Sequence, residues 1–430
     1  MPTPSLILVP ARFKTGKLYT PLATTSGGTV LGASGDFNVT RATSATRVNA
    51  SGLIESVASG IPRLDYYTSG GTAGCPALLV EPSAANGILN STDTTTSWTL
   101  GGNLTSGAID VIGVSGNNIT VAVSGSAIGS ATGRHVRFSN NVAFASGSTY
   151  TISFLMKKTG AHTIGGYQFF IGTGSIAAGF NVSGSYSSGS IADNAPTTNR
   201  IRRIEQWGTD VFRCSETFTM TAAATGTHLA FAPVAGVTNG NNSAVGTSIA
   251  FAAPQIELGA VPTSFIPTTT ASVTRNADVI SVSGAVSGSI GQASGTMYVE
   301  VDIRNAFAGT FISLDIGSGA DFLIIGRTSG LAVIVQLRRS NGSVVTIITS
   351  SAVALGVHKI ALGYTNGDYA LYIDGVSAGT STNSTDYPSA ALTRCGLAVT
   401  SYNIFNDRIR AAALYTTRLT NAQLASLTSP

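Results

Sequence analysis

Between Ile360 and Ile373 an apolar residue falls at every second position, with a single interruption at Asn366-Gly367. Ile360, Leu362 and Tyr364 precede the break, and Tyr369, Leu371 and Ile373 follow it. A period of two places each trio on one face of an extended chain. Asn-Gly between two such runs is the strongest short-range hairpin signal, because both residues tolerate positive φ. Asp374-Gly375 supplies a second turn, so the segment reads as a meander. The same alternation sets Met297, Val299, Val301 and Ile303 against Tyr298, Glu300, Asp302 and Arg304, and aligns Tyr150, Ile152, Phe154 and Met156. Around Ala50-Ser51-Gly52 it suggests small strands on either side of a tight turn. Strands at short spacing, separated by Gly, Ser and Asn, predict an all-β chain of antiparallel sandwiches. One helix signature stands out: Thr420 and Gln423 form a capping box ahead of a short C-terminal helix.

At 430 residues the chain can form two or three domains, each with its own core. Charged residues make up 10%, against roughly 25% in an ordinary soluble domain. The 43% hydrophobic content argues against disorder. The longest apolar stretch, residues 322–337, is interrupted by Arg327 and Gly330, which excludes membrane insertion through that stretch. A surface of hydroxyls and amides has little self-repulsion, and self-association is the expectation. The net charge of +4 is spread thinly. The one basic cluster, Arg200-Ile201-Arg202-Arg203, reads as a solvated strand face or an intersubunit contact. It lacks the interleaved aromatics that a nucleic-acid partner would need. Cys75, Cys214 and Cys395 form no CxxC pair, so neither a disulfide framework nor a zinc site is indicated. The N-terminus has no basic n-region, and synthesis in the cytoplasm without a signal peptide is expected.

Three sections are expected, at residues 1–86, 87–268 and 269–430. Residues 251–278 read as the last strand of the second section followed by a Pro- and Thr-rich linker. This stretch carries Gln255, Glu257 and Gly259, then Thr263-Ser264-Phe265-Ile266-Pro267-Thr268, then Thr274-Arg275. It resembles the QxExG…TSYIPT…TR motif that closes the first lectin-like domain of many bacteriophage tail and fibre proteins, with Phe265 in place of Tyr. The first section resembles the N-terminal region of the same proteins. There Phe37, Arg41-Ala42-Thr43 and Ala45-Thr46 lead to Pro62-Arg63 and Asp65-Tyr66, then to Leu78-Leu79, Glu81-Pro82 and Asn86. Ala84-Ala85 stands where that family commonly has Arg-Thr, which puts in doubt an ion pair at that spot. The second section resembles a carbohydrate-binding-module jelly roll, and the third a concanavalin-A-like, laminin-G-type sandwich. The resemblance implies a virion structural protein, a tail fibre, head fibre or related appendage. It also implies a homotrimer that attaches to other virion proteins (capsid, portal/neck or tail) through residues 1–86 and meets host cell-surface glycan. A purely structural decoration or assembly role is the alternative, and a glycan depolymerase a further one.

No residue pattern points to a catalytic site, a metal or another cofactor. His135, His162, His228 and His358 lack metal-type spacing. Gly375-Val376-Ser377-Ala378-Gly379 matches GxSxG but follows a hairpin turn, where a nucleophile elbow needs a strand-to-helix turn. Glu300 and Asp302, at i and i+2, are the candidate acids for glycoside cleavage. An exposed polar strand face explains them as well. Lectin sites combine an aromatic platform with Asn, Asp and backbone groups on loops. Tyr402, Asn403, Phe405, Asn406 and Asp407 have that composition, as do Asp386 and Tyr387. The competing reading is that Tyr402 and Phe405 cover the core while the Asn residues form turns. The family resemblance also admits a calcium site using Asp315 or Asp321.

Overall fold

A computed structural model of the chain describes residues 2–68, 71–94, 98–100, 104–121, 135–159, 164–181, 186–187, 195–232, 248–340, 342–399 and 401–430. The chain is nearly all β, in antiparallel sheets. Among the described residues the one α-helix is Asn421–Thr428. Its capping box is complete: Gln423 N donates to Thr420 Oγ1 at 3.3 Å, and Thr420 N donates to Gln423 Oε1 at 2.9 Å.

In the second section two six-stranded sheets form a sandwich. Thr149–Lys158, Ser248–Leu258 and Val211–Met220 lie side by side in one sheet. Ile164–Ile171, Ala224–Ala232 and His135–Phe144 form the middle of the other. Tyr150, Ile152, Phe154 and Met156 all face the shared core, as their alternation requires. There Phe231 stacks on Phe251 at 4.5 Å and meets Phe154 edge-on at 4.8 Å.

The third section is a larger sandwich of two nine-stranded sheets. Met297, Val299, Val301 and Ile303 point into its core, opposite Leu323, Ile325 and Leu337. The two hairpin turns use different geometry. Asp374 (φ +49°) and Gly375 (φ +81°) are both left-handed between Ile373 and Val376, as a type I′ turn demands. In Asn366-Gly367 only the glycine has positive φ, at +82°. The strong hairpin signal is realised there without the asparagine entering the left-handed region.

The first section shares its sheets and its core with the third. Leu6–Leu8 pairs with Asp407–Tyr415, Leu6 lying opposite Leu414. Phe37–Thr40 pairs with Val279–Ser283 in the facing sheet. Leu6, Leu8, Leu18, Phe37 and Val39 are buried in the same core as the third section. The hairpin Arg63–Thr68 and Gly71–Val80 joins that sandwich as well, through Leu79 opposite Arg408. Alternation marks each of these segments as a strand but says nothing about a partner at the far end of the chain.

The motif residues of the first section and the linker converge on one buried polar knot. Arg63 is fully buried and reaches Glu81 at 2.6 Å, Ser264 Oγ at 2.8 Å and Asp278. Arg41 donates to the other oxygen of Asp278 at 2.9 Å. Arg275 lies 3.4 Å from Glu81 and donates to Pro82 O at 2.9 Å. Glu81 also accepts Ser264 N at 2.6 Å and Ser264 Oγ at 2.7 Å. Beside the knot, Gln255 accepts Ile266 N at 2.6 Å, and Glu257 accepts Thr263 N at 3.0 Å. Asn86 ties both neighbours together, donating to Pro254 O and Ile266 O and accepting from Ile256 N. Isolated buried charges are costly, and these carry mutual hydrogen bonds instead. At Ala84, where the related motif commonly has arginine, the backbone pairs with Arg275.

Candidate functional site: an outer-face groove and a junction cleft

Strands Phe322–Arg327 and Ala332–Arg338 send alternate residues away from the core. Cross-strand register puts Phe322 beside Arg338, Ile324 beside Gln336, and Gly326 beside Ile334. None of these six belongs to a hydrophobic core cluster, so they form the outer face of the sheet. The chain at Ser401–Asn403 crosses this face, held where Thr310 N donates to Asn403 O at 2.8 Å. Tyr402 then meets Phe322 edge-on at 5.1 Å. Gly326 lets the floor close against the next strand, because a Cβ there would sit 2.7 Å from Gly309 O.

The result is a groove of ≈ 570 Å³. That size falls within the roughly 300–1,000 Å³ of small-molecule sites. Its floor is apolar, and Gln336, Arg338, Thr310 and Asn403 rim it, with no carboxylate among its lining residues. Arg338 donates Nε to Gly342 O and Nη1 to Gly319 O, both at 2.8 Å, which fixes its planar head at the rim. Of the loop residues expected to bind glycan, Tyr402 and Asn403 line this groove. Phe322, Ile324, Gln336 and Arg338 were not foreseen. The signal for Phe322 and Ile324 was an alternate set along 322–326 that stays apolar where a solvated face would be polar, and Gln336 and Arg338 follow only from their cross-strand register.

A second, smaller space lies where all three sections meet. It measures ≈ 50 Å³ and is lined by Asp65 and Tyr67, by Trp207 and Arg213, and by Asn406 and Asp407, among others. Tyr67 and Trp207 lie 4.9 Å apart. Arg408 and Arg304 cover the Tyr67 ring at 4.7 and 5.6 Å, and Arg213 covers Trp207 at 5.1 Å. Asp407 accepts Arg304 N at 2.5 Å and Asn305 Nδ2 at 3.1 Å, and burial pushes its carboxyl up to about 7. Asn406 and Asp407 therefore belong to this cleft, away from the groove.

The remaining expected glycan contacts lie elsewhere. Phe405 is fully buried, edge-on to Phe311 at 4.8 Å with Arg327 over its ring at 5.1 Å. Tyr387 donates its hydroxyl to Gln292 O at 2.6 Å, and Asp386 accepts from Asn383 and Thr385 within its own turn. The seven residues are thus divided: the irregular segment ahead of strand Asp407–Tyr415 carries Tyr402 and Asn403 to the groove, Phe405 to the core, and Asn406 and Asp407 to the cleft. The basic cluster also differs from a solvated face: Arg202 pairs with Glu216 at 2.9 Å, Arg200 pairs with the same carboxylate, and Arg203 lines the junction cleft.

Glu300 accepts from Arg410 at 2.7 Å, and Asp302 is held by Arg304 at 2.8 Å. Val376–Ser381, which overlaps the GxSxG match, is a strand that no helix follows directly. Asp315 accepts from Arg394 at 2.6 Å and from Gly317 N at 2.7 Å, while Asp321 accepts Ser389 N at 2.8 Å. His228 stacks on Phe170 at 3.8 Å, and His358 Nδ1 lies 2.6 Å from Asp374. His162 and the side chain of His135 lie outside the described residues. Among the described residues no cluster of three or more His, Cys, Asp or Glu is placed to hold a metal, and no helix is long and apolar enough to cross a membrane.

No family model and no curated protein matches the chain. It is similar to several solved structures over about a third of its length. The CBM40 module of a Ruminococcus gnavus IT-sialidase aligns at 18% identity over 33% of this chain and 85% of that chain, with a TM-score of 0.28. Domain 4 of AbnA, a GH43 extracellular arabinanase from Geobacillus stearothermophilus, aligns at 17% identity over 36% and 73%, with a TM-score of 0.29. The receptor binding domain of botulinum neurotoxin C/D mosaic serotype aligns at 12% identity over 35% and 40%, with a TM-score of 0.29.

Proposed function

We propose that this chain is a bacteriophage virion structural protein, a tail fibre, head fibre or related appendage, and that it attaches to host-surface glycan through the outer-face groove. The groove carries the reading: half-buried Tyr402 and Ile334 and exposed Val344 offer apolar faces to sugar C–H groups over buried Phe322 and Ile324, rimmed by amide, hydroxyl and guanidinium donors. The virion context rests on the sequence motifs, several of whose residues, Arg63, Glu81 and Ser264 among them, lock the linker to the first section. Self-association, as a homotrimer, would multiply individually weak contacts into avidity. Contact with other virion proteins falls to the exposed part of the first section, where Val9 and Phe13 face solvent.

The test is binding of the purified full chain to host envelope polysaccharide, compared with Tyr402→Ala. Loss of one aromatic contact of about 1 kcal/mol predicts roughly fivefold weaker binding per site, with little change between low and moderate salt. Equal binding by both proteins, or none by either, overturns the glycan reading. Particles that carry Tyr402→Ala and adsorb normally would leave the chain an assembly or decoration protein. Burial of the resemblance motifs at the junction is the observation that favours that second reading.

A further inference from the structure

The junction cleft, independent of the groove and of the glycan reading, holds donors without acceptors. Nε1 of Trp207 and Nδ2 of Asn406 are both buried, both residues line the cleft, and neither atom has a hydrogen-bond partner. Trp207 and Asn406 come from different sections of the chain. A buried donor left unpaired is expensive, and two in one small space call for a guest that accepts.

The charges around the space favour an anion. Its lining holds five guanidinium groups against four carboxylates, and of the five Arg47, Arg304 and Arg408 are paired with Glu55, Asp302 and Asp65. Three of those carboxylates are already engaged. Asp65 accepts from Arg408 at 2.5 Å, Glu81 from Arg63 at 2.6 Å, and Asp407 from Arg304 N at 2.5 Å. The fourth, Glu205, lines the same space beside the Tyr67 hydroxyl. Arg203 and Arg213 have no carboxylate within ion-pair distance among the described residues. Arg203 donates only to Arg304 O at 3.5 Å, and Arg213 to Ser153 Oγ at 3.2 Å and to Thr263 O. The volume of ≈ 50 Å³ is a few times what one water needs, roughly 10–15 Å³ on the same measure.

We propose that the junction cleft is a binding site for a single carboxylate group. The guest's oxygens accept from Trp207 Nε1 and Asn406 Nδ2, and Arg203 and Arg213 supply the compensating charge. A planar carboxylate suits guanidinium donors and needs no larger space than this. The carboxylate belongs either to a free small acid or to an acidic sugar whose ring stays at the mouth.

Isothermal titration of the full chain with acetate and with glucuronate tests this, chloride holding the ionic strength constant. Saturable acetate binding is expected, with Asn406→Leu and Arg203→Gln each weakening it about tenfold, the worth of one charge-assisted hydrogen bond. Emission of Trp207 should shift with the same midpoint, while Trp98 in the second sandwich supplies the constant background. Saturation by glucuronate as well as acetate identifies a cleft open to an acidic sugar, and saturation by acetate alone identifies a free small acid. Arg203 is only half-buried, so its substitution leaves a folded protein to compare. No saturable response to either acid, or the same affinity in both variants, overturns the proposal and leaves the cleft to water.

Discussion

Asp278→Asn is the sharpest probe of the buried knot. The wild-type group contains Arg41, Arg63 and Arg275 against Glu81 and Asp278, all nearly inaccessible to solvent. Asp278 spends one oxygen on Arg41 and the other on Arg63 and on the N–H of Glu81. Asparagine keeps the shape and one acceptor but turns an NH₂ group toward a guanidinium. Three cations then face one carboxylate. Breaking a buried pair by removing one partner costs about 3–5 kcal/mol, and two pairs are affected here, so the upper half of that range is expected. Urea unfolding followed by Trp207 emission, at low and at moderate salt, measures it. Because the pairs are sealed from solvent, the loss should change little with ionic strength. Adding Arg63→Met to Asp278→Asn removes one of the stranded cations, so the double variant should lose about 2 kcal/mol less than the sum of the singles. A loss below about 1 kcal/mol, or one that salt erases, would match an exposed ion pair and refute the reasoning.

Two carboxyls give stability opposite pH dependences. Arg63 and Arg275 hold Glu81 well below its ordinary range, against the burial that alone would raise it. Its contribution is present above the ordinary value of 4.5 and is lost as pH falls below that. Burial raises Asp407 from 3.8 to about 7, so the folded state keeps a proton that the unfolded chain releases, and stability falls as pH rises through that interval. Melting curves from pH 3 to pH 8 should show a shallower fall across that interval in Asp407→Asn, and a gentler acid limb in Glu81→Gln. Thr420→Ala removes the helix cap and should cost about 1 kcal/mol, read as faster amide exchange along Asn421–Thr428 with the sheets unaffected.

Local structure was legible because it is written in local chemistry. Alternation placed Tyr150 to Met156 and Met297 to Ile303 on their inward faces, and Thr420 with Gln423 announced the helix. Long-range pairing was not legible. Nothing in Leu6–Leu8 names Asp407–Tyr415 as its partner, since any apolar strand edge would satisfy the same three residues. Arg63, Glu81 and Arg275 read as a family signature, but burial of charge depends on distant segments meeting, which no spacing reveals. The loop at 402–407 looked like one aromatic and amide cluster. The chain runs there as an irregular segment that takes Tyr402 to the groove, Phe405 to the core and Asn406 to the cleft, so composition alone overestimated how many of them share a site.

The account turns on the first residues of the chain being built into the sandwich completed by the last. Native-state hydrogen exchange of the full protein addresses this directly. The amides of Leu6, Ile7 and Leu8 should exchange as slowly as those of Ala412 to Leu414, because both sets open only when the shared sheet does. Rapid exchange at Leu6–Leu8 beside full protection in Asp407–Tyr415 would contradict it, and would return residues 1–86 to the status of a separate arm.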